Sequence, residues 1–322
     1  MANVARRLDI AVAVATRDRP QGLARCLLGI LSGESLPREL VVVDQGKTDA
    51  SGVVSSFDAP AGVSLRHVGQ ARIGLSASRN EAVRLTTAPI LAFTDDDCVP
   101  EARWLTEIDR AYRESPELGT VTGPVLPLGP PTAGTYPVAS REGSRRVAFF
   151  GYVPPWQPGT GANMAVRRDW LSRVGGYDER LGVGSRGGGA EDIDLVFRLL
   201  QAGAHIRYEP GALVRHERQP AHRRRATRRT YGRGIGALCG LLLREGDALA
   251  LRVLLDWARL RLRRAAGGAR RGRWQLVREE WHVLVGTLGG LGYGVSAGRL
   301  PRRLAPPTMQ EHHRDLLAEG SS

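Results

Sequence analysis

Three cysteines, Cys26, Cys98 and Cys239, are all that the 322 residues contain. They are too few and too scattered for a disulfide framework or a Cys-rich metal site, and such sparing use suits a reducing compartment. Lysine is scarcer still, with Lys47 alone, so arginine carries almost all the positive charge. No stretch of 18 or more clearly apolar residues occurs, which argues against an ordinary spanning helix. The nearest run, 283–297, is short and loaded with glycine. The N-terminus lacks the pattern of a signal peptide: Asp9 interrupts the apolar run that follows Arg6 and Arg7, and Arg17, Asp18 and Arg19 end it. Internal repeats are missing too. Aromatic residues make up only 6%, and no DNA- or RNA-binding motif is present, so no nucleic-acid partner is expected.

What is present is a folding composition, 42% hydrophobic and 25% charged, with a net charge of +13. The charge is unevenly placed. Residues 220–322 hold 20 Lys+Arg against 8 Asp+Glu, whereas residues 1–219 hold 26 against 25. A basic tail on a near-neutral body points to a polyanion: a membrane surface, a nucleic acid or a phosphorylated lipid.

Along the chain, short apolar runs alternate with helical patterns. Leu8 to Ala15 predicts a buried strand, Leu23 to Leu31 a helix, and Leu40 to Val43 a second strand. Val63 to Val68 fits a third strand, Leu75 to Leu85 a helix, and Ile90 to Phe93 a further strand. This alternation predicts an α/β fold with a doubly wound, mostly parallel sheet. Residues 124–160 are Pro- and Gly-rich and irregular, and strand character resumes at 161–166. Glu191 to Leu200 is helical, Ala204–Tyr208 and Ala212–His216 are short strands, and arginine-punctuated helix follows from Ala221. The strands end in polar groups, at Thr16-Arg17, Asp44-Gln45 and Asp95-Asp96-Asp97. In an open α/β sheet such ends converge on one crevice beyond the carboxyl edge.

Two acidic groups carry the chemistry. Asp95-Asp96-Asp97 follows a strand directly, and adjacent carboxylates repel unless a cation neutralises them; a hard divalent ion is one answer, an acidic turn in solvent the other. Glu191-Asp192 opens a helix after the loop Gly187-Gly188-Gly189. The pair could be a simple helix cap, or a general base presented on a mobile glycine loop.

These residues occur in an order that carries a resemblance. Thr16-Arg17 is followed by Val41-Val42-Val43-Asp44, then Gly74-Leu75 with Ser78-Arg79-Asn80, then Phe93-Thr94-Asp95-Asp96-Asp97. Gly161-Ala162-Asn163-Met164-Ala165, Gly175-Gly176-Tyr177-Asp178-Glu179 and Glu191-Asp192-Ile193-Asp194-Leu195 come next. Over residues 8–218 the chain resembles a family 2 glycosyltransferase. The resemblance implies a GT-A fold, Rossmann-like with a mostly parallel sheet, for residues 1–219, and leaves 220–322 as a basic helical extension. It implies that Thr16 and Asp44 contact the nucleotide base and ribose, with Arg79 near the diphosphate. Asp95 and Asp97 match the DxD motif for ribose, diphosphate and a divalent metal (Mg or Mn), and in a DDD triplet Asp96 is an alternative ligand. His216 resembles a histidine that completes the metal site, Asn163 and Glu191 lie beside the sugars, and Asp192 matches the catalytic base.

The implied activity is transfer of a single sugar from a nucleotide-sugar donor to a hydroxyl acceptor, inverting and metal-dependent. The acceptor expected is lipid-linked or a cell-envelope glycan. The QxxRW signature of processive synthases is missing, since Gln219-Pro220-Ala221-His222-Arg223 stands there. The rival readings are a nicotinamide-dependent α/β oxidoreductase, and an inactive GT-A-like binding module with a nucleic-acid-binding tail. The first lacks a GxGxxG after the opening strand, where Thr16-Arg17-Asp18-Arg19 stands. The second is disfavoured by intact acids at Asp95, Asp97 and Asp192. In the tail, Leu251, Leu254, Leu255, Ala258 and Leu262 share one helical face. That face either lies on an anionic membrane, at the inner, cytoplasmic side, or packs on the catalytic body.

Overall fold

Strand runs and amphipathic helices assemble, in the computed structural model, into a mixed α/β body with a helical extension; the structure describes residues 6–298. In chain order the first half comprises β1 (Arg6–Thr16), α1 (Pro20–Leu31), β2 (Ser35–Asp44), α2 (Ser51–Ser55), β3 (Ser64–Gly69), α3 (Leu75–Leu85), β4 (Ile90–Asp95), β5 (Cys98–Pro100) and α4 (Trp104–Glu114). There follow β6 (Leu118–Thr122), β7 (Val125–Pro127), β8 (Thr135–Tyr136), β9 (Val147–Phe149), β10 (Met164–Arg167), α5 (Arg168–Val174), α6 (Glu191–Gln201), β11 (His205–Tyr208) and β12 (Val214–His216). The extension supplies α7 (Arg224–Arg244), α8 (Leu249–Arg270) and α9 (Trp274–Ser296). Its part beyond residue 298 lies outside the described residues.

The central sheet has the order β3-β2-β1-β4-β10-β6-β11-β9. β3, β2, β1 and β4 are parallel, as are β6 and β11, while β10 and β9 run against their neighbours. β1 is buried on both faces, so successive side chains feed two cores. Ile10, Val12 and Val14 pack with Leu23 and Leu27 of α1 and Trp104 and Ile108 of α4. Ala11 and Ala13 pack with Val41, Phe93 and the α6 residues Leu195 and Leu199. The chain lays β2 and β3 on one side of β1, then returns to place β4 on the other. Strand order therefore reverses between β1 and β4, where an open α/β sheet binds its ligand. Thr16 pairs with Asp44, and Ala15 with Asp95, at that edge.

The irregular segment 124–160 holds only the very short β7, β8 and β9. Strand β10 begins at Met164, later than the expected 161, and this leaves the Gly161 peptide in a loop with its N–H and C=O outside the ladder.

The extension is packed through glycine. Gly232, Gly236 and Gly240 on α7 meet Gly286, Gly290 and Gly294 on α9. A Cβ on Gly236 would collide with the Thr287 carbonyl, and one on Gly290 with the Arg233 carbonyl. Small residues at four-residue spacing let two backbones approach this closely. Ile235, Leu238, Val253 and Trp257 of α7 and α8 share a core with Leu181, Ala190 and Phe197 of the sheet body. At the other end of the bundle, buried Glu279 and Glu280 receive Arg224, Arg228, Arg261 and Arg264; burial pushes the Arg261 guanidinium down to about 10.

Helix α8 packs on the body through Ala250, Val253 and Trp257, with Leu254 of the stripe expected from spacing beside them. Leu251, Leu255 and Leu262 are 54%, 55% and 59% exposed. Periodicity identifies an apolar stripe; only the neighbouring helices decide which stripe is covered.

Candidate active site

The site is built on the carboxyl edge of β1, β2 and β4. The Thr16 hydroxyl donates to Asp96 Oδ2 at 2.8 Å, and Arg19 donates to Asp96 Oδ1 at 3.0 Å and Asp97 Oδ2 at 2.6 Å. Burial raises Asp96 to about 6, with repulsion from Asp97 adding and the Arg19 charge opposing. Asp97 is raised as well, again first by burial. Asp44 closes the turn after β2: its two oxygens accept from the backbone N–H of Gly46 and Ala50 at 2.8 and 2.9 Å.

Within the triplet the side chains diverge. Asp96 is turned to Thr16 and Arg19, whereas Asp95, Asp97 and His216 gather one ligand atom each, with the Cys98 sulfur, all within 4.8 Å of one another. The sheet pairing explains the gathering, because His216 on β12 lies opposite Cys98 on β5, directly after the triplet. His216 Nδ1 is 2.8 Å from the Glu217 carbonyl oxygen and Nε2 is 3.5 Å from Asp97 Oδ1. With the proton on Nδ1, donated to that carbonyl, the Nε2 lone pair faces the carboxylates. Two carboxylates and an imidazole nitrogen at this separation fit one divalent ion. Burial holds the Cys98 thiol well above its usual range, so it is a neutral, soft neighbour rather than a ligand for a hard ion.

The second acidic group is connected to the first through Arg79. This guanidinium, 3% exposed, donates to Asp95 Oδ1 at 2.9 Å, to Glu191 Oε1 at 3.0 Å and to the Gly161 carbonyl at 3.1 Å. The Gly161 N–H in turn donates to Asp192 Oδ2 at 2.7 Å, and the Ile193 N–H donates to Asp192 Oδ1 at 2.8 Å. A Cβ at Gly161 would stand 2.7 Å from Arg79 and 3.0 Å from the Asp192 Cβ, so glycine is required there by close approach. Asp192 is half-buried at the start of α6, where the helix dipole favours its charge. Glu191 is buried, and its carboxyl is raised by burial and by Asp192 against the pull of Arg79. Ala190 just before it holds φ +100°, a left-handed conformation that a residue bearing a Cβ adopts at a cost of about 1–3 kcal/mol.

The predicted residues thus fall into three groups. Thr16, Asp44, Asp95, Asp96, Asp97 and His216 meet at the sheet edge, and Glu191 and Asp192 join them through Arg79. Asn163 does not: it is 1% exposed, its oxygen accepts from Trp104 Nε1 at 2.8 Å, and both amide hydrogens go to the Pro124 and Ala212 carbonyls. Its amide ties α4 to the two loops that carry Pro124 and Ala212. Asp194 is the ion-pair partner of Arg198, one turn along α6, on a different face from Asp192. The loop Gly187-Gly188-Gly189 packs closely against α7. Gly234 of α7 abuts the Gly189 carbonyl with no room for a Cβ, and a Cβ on Gly189 would meet the Tyr231 ring.

Two residues at the site escape sequence reasoning. Arg19 neutralises Asp96 and Asp97 from a segment that looks like a strand break; the signal was an arginine three residues beyond a strand end. Gln219, whose surroundings do not fit a processive signature, donates to Asp97 Oδ2 at 3.3 Å. A cavity of 720 Å³ lies elsewhere, between α6 and α7, lined by Tyr177, Arg180, Asp194, Phe197 and Leu238.

Comparison with known proteins gives a consistent result. A family model described as Glycosyltransferase like family 2 matches residues 7–237. The pre-mycofactocin glycosyltransferase of Mycobacterium tuberculosis (strain CDC 1551 / Oshkosh) is 29% identical over 255 residues, covering 75% of this chain and 49% of that protein. The chain therefore spans about half the length of that curated relative. The succinoglycan biosynthesis protein ExoM of Rhizobium meliloti (strain 1021) is 30% identical over 226 residues, 67% of this chain and 69% of the relative. Among solved structures, the mannosyltransferase PcManGT of Pyrobaculum calidifontis, in complex with GDP-Man and Mn2+, superposes with a TM-score of 0.58 at 17% identity, covering 88% of this chain and 87% of that one. At that identity the likeness is one of fold.

Proposed function

This chain belongs to glycosyltransferase family 2, and from that premise we propose that it transfers a single sugar from a nucleotide-sugar donor to a hydroxyl acceptor. The observation that carries the proposal is Asp192. It is a half-buried carboxylate oriented by two backbone N–H groups, tied through Gly161 and Arg79 to the acidic sheet edge. In the proposed step the acceptor oxygen attacks C1 of the sugar as the C1–O bond to the diphosphate breaks, and Asp192 takes the hydroxyl proton. One displacement with one base inverts the anomeric centre.

Thr16 and Asp44 would line the nucleoside end of the donor, and Arg79 would hold Asp95, Glu191 and the Gly161 peptide in register. Asp95, Asp97 and His216 would hold a Mg2+ or Mn2+ ion, which when bound supplies positive charge against the leaving diphosphate. The acceptor we propose is a glycan or a lipid-linked one; of the relatives named above, the succinoglycan biosynthesis protein is in keeping with a glycan. We place the enzyme on the cytoplasmic side, peripheral to the inner face of the membrane; no helix among the described residues is long and apolar enough to cross one. Membership of the family favours this reading over a nicotinamide-dependent oxidoreductase.

Calorimetry with a panel of UDP-, GDP- and dTDP-sugars tests the proposal. One donor class should bind, and more tightly with Mn2+ than with EDTA. Equal affinity in both would remove the metal from the site, and binding of NAD alone would overturn the transferase reading.

A further inference from the structure

Helices α8 and α9 carry more than half of the large apolar side chains that are exposed among the described residues. On α9 these are Trp274, Trp281, Leu288 and Val295, exposed by 63%, 65%, 71% and 51%. Their spacing is seven residues throughout, which on an α-helix keeps them on one face with a slow drift. The opposite face of α9 holds the glycines buried against α7. On α8, Leu251, Leu255 and Leu262 form a second stripe pointing away from the body. Exposed apolar stripes of this kind are uncommon on a soluble surface and mark a contact with something apolar.

The charge around the stripes identifies what that something is. Arg263, Arg270, Arg271, Arg273 and Arg278 are exposed at the end of α8, the turn after it and the first turns of α9. None of them has a carboxylate partner among the described residues, unlike Arg261 and Arg264, which are spent on Glu280. From Trp281 to Gly298 α9 and its end carry no Asp, Glu, Lys or Arg. Two tryptophans beside unpaired arginines, followed by an uncharged apolar face, suit the boundary between lipid headgroups and acyl chains. A protein partner would be expected to answer with its own carboxylates at fixed points, whereas a dispersed arginine fringe suits a diffuse anionic surface.

We infer that the exposed apolar face of α9 seats in an anionic lipid leaflet. The inference deepens the peripheral placement proposed above and rests on that reading for its biological setting, while naming the surface responsible. The glycine packing of α7 against α9 and the core shared with α6 join this face to the helix that carries the proposed base. Lipid contact would therefore fix the orientation of the crevice to the leaflet, as a lipid-linked acceptor requires.

The test uses the full chain and vesicles of phosphatidylcholine, with and without phosphatidylglycerol. Flotation should require phosphatidylglycerol and weaken with salt, and tryptophan emission should be quenched by brominated acyl chains. The double variant Trp281→Ser, Leu288→Ser should lose roughly tenfold or more in vesicle partitioning, tenfold being the effect of about 1.4 kcal/mol. Trp281→Phe should retain most of the binding. Unchanged flotation of the double variant, or no quenching by brominated lipid, overturns the inference. So does a dimer in vesicle-free sedimentation that the same substitutions dissociate, which would make the face a contact between two copies. Donor binding by these variants, measured without vesicles, reports on the crevice alone: if the wild type binds no nucleotide-sugar, the transferase reading fails while the flotation result stands.

Discussion

Asp192 and Glu191 are neighbours in sequence with opposite fates. Glu191 is buried and bound to Arg79, so its carboxyl is committed to the scaffold. Asp192 is only half-buried and held by peptide N–H groups, so its carboxylate is the more accessible of the two and the one proposed as the base. Asp192→Asn keeps the shape and removes the proposed base. Transfer should fall by about 10²–10⁴-fold with donor affinity nearly unchanged, read from initial rates and calorimetry; unchanged turnover would remove Asp192 from the mechanism. Arg79→Met tests the bridge. It leaves Glu191 without its buried cation and frees Asp95, and breaking a buried pair costs about 3–5 kcal/mol. Urea unfolding should show that loss, and a cost within half a kcal/mol would mean that Arg79 is dispensable to the scaffold. None of this coupling is legible in sequence, where Arg79, Gly161 and Glu191 stand far apart.

At the scale of elements, the helices with clear apolar spacing were foreseeable, and α3 has the bounds that its composition predicts, Leu75 to Leu85. α6 likewise begins at Glu191 as expected. What spacing cannot convey is which face a helix buries, as α8 shows, or how near two helices come. The glycine seam between α7 and α9 is a case where the distance decides the residue. Gly290→Val would force a Cβ into the Arg233 carbonyl, and overpacking of this kind costs about 1–3 kcal/mol or more. Gly292, on the same helix with nothing within 4 Å of its added Cβ, is the control. Gly292→Ala should be neutral or stabilising by up to about 1 kcal/mol through helix propensity. Thermal unfolding should separate the two variants; equal melting temperatures would mean that the seam is not tight.

At the scale of the whole molecule, the extension is part of the catalytic body rather than an appendage. Leu181, Ala190 and Phe197 are covered by α7 and α8, and α7 abuts the loop that leads into Asp192. A chain ending at Gln219 should therefore be aggregation-prone or molten and should lose donor binding, as judged by near-UV dichroism and calorimetry. A well-folded, donor-binding 1–219 fragment would show that the extension is separable. The sequence by itself determined the α/β alternation, the polar strand ends and the uneven charge, because periodicity, turn residues and composition are local properties of the chain. It also determined the order of the acidic motifs. The tertiary structure alone decided that Asp95 and Asp97 turn towards His216 while Asp96 turns to Thr16, that Asn163 is spent on α4 and two loops, and that the glycine loop packs against α7. These outcomes depend on which strands become neighbours and how closely backbones approach, and such contacts between residues distant in sequence have no local signature.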